Sequence, residues 1–323
     1  MSFRAVFLDP EEAALAAVDE SLEPYVSLLS RREVEFMAGV SVDATATSVA
    51  FARIWAAAVC PWKAAEKAGI EKALGELYSV LGSYPEFAAL EWRFVKNRRG
   101  FCGGMAYTRN TEVHFDEGIC ERYADGIENV DARPSGHRLV GLLAHEQLHV
   151  FQRRNPQAAA RFYLELWGTG SDVCLVQSQS LTSCAWLDEN QVTNPDAVVL
   201  DYLVHIPASN DARPRWFWPR TVMDPTANAL EASGGRPPFL GCAVEMAPLA
   251  QGSEEFVPVF HGPDGKPLDT AAYATALRDP ESIPVHVNLD DLWSGPARAL
   301  FPSGYHQDHP NEVLVPQHNN CML

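Results

Sequence analysis

Apolar and polar positions change period along the chain. From Pro10 to about Trp92, apolar residues recur at helical spacing in a background rich in Ala, Leu and Glu, broken at Pro24, Gly39, Pro61, Gly69, Gly82 and Pro85. That pattern predicts about four helices. Trp55, Trp62, Tyr78, Phe87 and Trp92 stand among the alanines and leucines and are expected in the core of this helical lobe. Arg93 to Arg99 is a basic cluster, read as a solvated turn. Met105 to Phe115 then alternates in part around a Thr-Arg-Asn-Thr centre, which predicts a strand or a hairpin. The stretch His137 to Pro156 is apolar on most sides, with Ser135 to cap it and Asn155-Pro156 to stop it, so a buried helix is expected. A second helix, Gln157 to Trp167, should pack on it. After Val198, the β-like runs VVLDYLVHI, RWFWPRTVM, FVPVF and IPVHVNL alternate with Pro and Gly, which favours edge strands and ordered loops wrapped on the rest. Trp216-Phe217-Trp218 is read as core packing, with a cleft wall as the alternative. The class is α+β: a helical N-terminal lobe at residues 1–95, then a region at 96–323 with a short sheet, the buried helix and a loop-rich C-terminal part.

The buried helix carries candidate chemistry. It reads HRLVGLLAHEQLHVFQRRNP and places His145, Glu146 and His149 in the order HExxH. Residues four apart are neighbours on one helical face, so both imidazoles can address one metal ion while Glu146 lies at the rim of that face as a general base. A helix that buries two histidines and a carboxylate must satisfy them, and a divalent cation does so at once. Zinc is the first expectation, with iron the alternative, since two His and a carboxylate suit both.

Composition narrows the partners. The chain has 323 residues, 42 acidic against 25 basic, and a formal net charge of -17. Such a charge opposes binding to nucleic-acid phosphates or to anionic membranes. Seven cysteines without a CxxC pair indicate neither a disulfide framework nor a cysteine metal site. With no signal-peptide pattern in MSFRAVFLDPEE and no spanning stretch, the cytoplasm is the expected location.

A catalytic zinc site takes three protein ligands and one open position. The extended metzincin pattern is excluded, because Asn155 stands where its third histidine would be. Later, GYHQDHPNEVLVP holds Glu312 after His309-Pro310. Together with HExxH and TNPDA, this resembles the gluzincin-like zincin metallopeptidases, including a bacterial zincin-like group, whose third ligand is a glutamate on a later helix; Val315 and Pro316 replace the usual Ala and Asp of that run. The resemblance implies a zincin-like fold and a zinc-dependent hydrolase of peptide or amide bonds. It implies His145, His149 and Glu312 as ligands, Glu146 as base and Tyr305 as oxyanion donor. Glu189 and His309 remain alternatives to Glu312, Asp188 and Asp196 are further carboxylates a fold could bring close, and His114 is a candidate third histidine ligand beside its reading as a packed strand residue. A strand just before the motif helix would offer its edge to an extended peptide. Two other classes stand beside the hydrolase: a non-haem iron oxygenase or tailoring enzyme with the same ligands, and a non-catalytic protein with structural zinc.

Overall fold

A computed structural model of the chain describes residues 2–22, 24–41, 47–126, 139–167, 174–177, 180–193, 196, 202–207, 213–224 and 239–294. In chain order the elements are β1 (Ala5–Phe7), α1 (Pro10–Ala17), α2 (Arg31–Ala38), α3 (Thr47–Ala58), α4 (Ala64–Leu81), α5 (Pro85–Ala88), β2 (Trp92–Asn97), β3 (Tyr107–Arg109), β4 (Glu112–Asp116) and α6 (Glu117–Ala124). They continue with α7 (Leu139–Arg154), α8 (Pro156–Trp167), β5 (Cys174–Gln177), β6 (Ser180–Leu181), α9 (Ala185–Asn190), β7 (Tyr202–Ile206), β8 (Arg215–Met223), β9 (Phe239–Pro248), β10 (Glu255–Pro258), α10 (Thr270–Ala276), β11 (His286–Asn288) and α11 (Leu289–Ser294). The class is α+β, and the strands among the described residues lie in two sheets.

The first sheet has the order β1-β2-β4-β3. β1, β2 and β4 are parallel, and β3 closes one edge antiparallel to β4 in the expected hairpin. Strand alternation sends Trp92, Phe94, Val113 and Phe115 to one face, where they meet Ile70, Leu74 and Leu77 of α4, Ile119 and Tyr123 of α6, and Leu139, Leu143 and Val150 of α7. Tyr107 joins a second core with Tyr25, Phe36, Phe51 and Trp55. The division at residue 95/96 falls inside β2, and the first core draws residues from both sides of it.

Two local readings change. The basic run from Arg93 is a solvated turn only at its end, where Arg98 and Arg99 are exposed: Arg93 to Asn97 lie in β2, in mid-sheet, and Lys96 is 1% exposed. Its ammonium group is 2.8 Å from Glu66 and 3.2 Å from Glu117, while Arg93 reaches Glu112 at 2.7 Å. The carboxylates that permit this burial come from α4, α6 and β4, far off in sequence. Gly69 is no helix break either but lies within α4, where a Cβ would stand 2.1 Å from the carbonyl oxygen of Tyr123, so glycine there lets α6 approach.

The C-terminal part is more ordered than its prolines suggest. It holds a seven-stranded sheet, β5-β7-β8-β9-β10-β6, with β11 also paired to β9. Pro219 is tolerated in β8 because, among the described residues, it is paired on the β9 side and the pairing of β8 with β7 ends at Phe217. β9, absent from the β-like runs, carries Gly241 and Ala243, and a Cβ on Gly241 would meet the Leu289 side chain of α11 at 2.9 Å. Leu203, Trp218, Val222, Val244 and Met246 build this sheet's own core. Phe217 and Trp218 are buried, as the packing reading requires, whereas Trp216 stacks on His205 and lines a cleft of about 270 Å³ with Met246 and Tyr273. Among the described residues no helix is long and apolar enough to cross a membrane.

Candidate functional site

α7 is an interior helix because Leu139, Leu143, Ala144 and Val150 enter the core shared with α4 and the first sheet. It ends locally: the N–H of Asn155 donates to the carbonyls of Phe151 and Gln152 at 3.0 and 3.1 Å, and Pro156 opens α8. Ser135, the expected cap, lies outside the described residues.

The helical repeat brings His145 and His149 together. Their Nε2 atoms are 3.2 Å apart, and the rings stand edge to face at 82° with centroids 4.7 Å apart. Two nitrogens bound at about 2.05 Å to one tetrahedral zinc lie about 3.3 Å from each other, so this spacing suits a pair of metal ligands. Without a cation, two lone pairs at this distance repel and one ring must present an N–H to the other. His149 is fully buried and His145 half-buried, and His149 Nδ1 lies 3.0 Å from Gln152 Oε1. Glu146 is 2% exposed. Burial first, and then the nearby Glu146 charge, hold the Tyr123 hydroxyl well above its ordinary pKa, and that hydroxyl donates to the Leu139 carbonyl at 2.7 Å.

The other expected residues fall in three groups. His114 belongs to the sheet: fully buried on β4, it stacks on Tyr107 with centroids 4.7 Å apart and packs against Trp55. Its Nδ1 faces Asn97 Nδ2 at 3.4 Å. Burial, then the positive fields of Arg109 and Arg153, push its pKa down from 6.5 to about 3. Asp188 accepts from the Ser183 hydroxyl at 2.7 Å, and Glu189 pairs with Arg31 of α2 at 3.3 Å, so both carboxylates of α9 have partners away from α7. Glu312, Tyr305 and His309 lie outside the described residues. Among the described residues, no group of three or more His, Cys, Asp or Glu side chains that could hold a metal ion is brought together.

Asp196 arrives somewhere the sequence did not announce. It is buried at the edge strand β3, where Oδ1 accepts from the Thr108 N–H at 2.6 Å and from the Thr108 hydroxyl at 2.8 Å. Arg153, one turn beyond His149 on the same stripe of α7, donates to Thr108 Oγ1 at 3.1 Å and to the Asn110 carbonyl at 3.2 Å. The hairpin is therefore tied to the end of the histidine helix. The outward N–H of Thr108, which an added peptide strand would use, is already taken. Gln152 and Arg153 were both within reach of helix spacing, at three and four residues beyond His149. Nothing local marks Thr108 or Asp196.

No protein-family model, curated protein or solved structure matches the chain.

Proposed function

We propose that the chain is a zinc-dependent hydrolase of peptide or amide bonds, built on a zincin-like catalytic region. The observation that carries this reading is the convergence of His145 and His149 Nε2 at 3.2 Å on a buried helix, with Glu146 on the same turn. His145 and His149 would hold the metal, and the third ligand is assigned to Glu312 on the sequence resemblance alone. Bound there, zinc would supply an acidified water and a Lewis acid for the scissile carbonyl. Glu146 takes a proton from the attacking water and returns it to the leaving nitrogen, and its burial keeps bulk solvent from competing for that proton. Tyr305 is assigned to donate a hydrogen bond to the oxyanion. The substrate class is a peptide or a small amide.

The test is metal content of protein purified without added metal, joined to turnover on a peptide library. Wild type should carry zinc at one per chain. Glu146→Gln should keep that zinc and lower turnover by about 10²- to 10⁴-fold. Glu312→Ala should lose the metal, while Glu189→Ala, whose carboxylate is held by Arg31, should retain it. Iron in place of zinc with oxygen-dependent chemistry, no metal at all, or full activity in Glu146→Gln overturns the reading.

A further inference from the structure

We infer that Gln152 is a positioning residue that holds His149 in the one tautomer able to bind a metal through Nε2. The inference rests on the metal-site reading above for its consequence, but not for its geometry. Gln152 follows His149 by three residues, so the helix sets both side chains on one face. Both are buried, at 3% and 0% exposure, and Oε1 lies 3.0 Å from Nδ1. An amide oxygen is only an acceptor, so this contact requires the imidazole proton on Nδ1. The lone pair of the neutral ring then sits on Nε2, the atom 3.2 Å from His145 Nε2. Had the proton been on Nε2, it would occupy the point where a metal must be.

The contact also fixes the ring plane. A buried imidazole free to turn about its Cβ–Cγ bond would present Nε2 to the shared point only part of the time, and apparent affinity falls with the populated fraction. Metal-bound histidines commonly pass their second N–H to a carboxylate or carbonyl. Here the acceptor is a neutral amide from the same helix, so the tautomer is set without adding a negative charge to the buried surroundings.

Two measurements on the full chain test this. Long-range proton–nitrogen NMR of metal-free protein labelled at histidine, with His149 assigned by its loss in His149→Gln, should show the proton on Nδ1 in wild type and a mixed population in Gln152→Met. Competition of the protein against a chelator for zinc should show affinity 10- to 100-fold weaker in Gln152→Met, with Gln152→Glu, which keeps an acceptor oxygen, restoring both tautomer and affinity. A purely structural role for Gln152 would move the melting temperature but neither of these readouts. A wild-type Nε2–H tautomer, or unchanged tautomer and zinc affinity in Gln152→Met, overturns the inference. If wild type bound no zinc yet lost its Nδ1–H tautomer on Gln152→Met, the positioning role would stand and the hydrolase reading would fail.

Discussion

β2, β3 and β4 of the first sheet bury Lys96, Asn97, Thr108, Arg109, Glu112, His114 and Asp116, whereas β7, β8 and β9 of the second bury Leu203, Val204, Phe217, Trp218, Val222, Val244 and Met246. Among the described residues of the second sheet's strands, Glu245 is the one charged side chain so buried, and Arg215 meets it at 2.6 Å. The difference follows from what each sheet packs against. The second closes over a largely aliphatic and aromatic core. The first lies between two cores and receives carboxylates and guanidinium groups from α4, α6 and α7, so its buried charges have partners. Apolar packing is tolerant of modest change, while a buried ion loses its compensation when one partner goes. The helix with the candidate chemistry is fastened to the less tolerant sheet.

The strongest test of this contrast is Lys96→Met. It removes the buried cation between Glu66, itself 1% exposed, and Glu117, and leaves Glu66 with only the exposed Lys63, at 3.7 Å, as a counter-charge. Loss of one partner of a buried pair costs about 3–5 kcal/mol. Urea unfolding should show a fall of that size. The double variant Lys96→Met with Glu66→Leu should recover most of it, since an apolar replacement of the whole pair is often neutral. A single variant as stable as wild type would mean that the first sheet is no more charge-dependent than the second.

This buried pair is also where sequence and structure part company. The histidine helix, the helix after it and the β3–β4 hairpin were legible because their signals are local: periodicity, a proline stop, and a polar turn between β-formers. The pairing of His145 with His149 was legible for the same reason, since spacing of four on a helix sets it. Lys96 was not, because a basic run looks solvated until Glu66 and Glu117 arrive from other elements. β9 escapes the pattern because Gly241 and Ala243 weaken a strand signal, and Gly241 is there to admit Leu289 of α11. Asp196 reads in the sequence as one more carboxylate that the fold could bring close to the metal, and tertiary structure brings it to Thr108.

A smaller effect is expected at His114, and its sign follows from linkage. The folded pKa of about 3 is below the unfolded value, so the ring stays neutral when folded and the unfolded chain binds the extra proton. The stability tied to the neutral ring is full above pH 6.5 and is lost as pH falls from there towards 3. The slope is about 1.4 kcal/mol per pH unit, or about 2 kcal/mol between pH 6.5 and 5. His114→Phe keeps an aromatic ring against Tyr107 and Trp55 but cannot titrate. Comparing unfolding free energies of the two proteins across this range should show the acid limb shallower in the variant; parallel limbs would remove His114 from the account.

The finest test concerns the tie between α7 and the edge of the first sheet. Asp196→Asn keeps an acceptor oxygen for the Thr108 N–H and hydroxyl, which now stand at 2.6 and 2.8 Å from Oδ1, but removes the charge. A charge-assisted hydrogen bond is roughly twice as strong as a neutral one, so the loss should be about 1 kcal/mol in chemical unfolding. Asp196→Ala goes further and releases the Thr108 N–H. If extended peptides bind by adding a strand at β3, this variant should lower KM for longer peptides and leave kcat for a minimal amide unchanged, because the released donor would hold the peptide backbone and is neither a proposed metal ligand nor the proposed base. Equal KM values for long peptides in wild type and Asp196→Ala would place the substrate elsewhere, and the buried polar edge would then serve only to anchor the histidine helix.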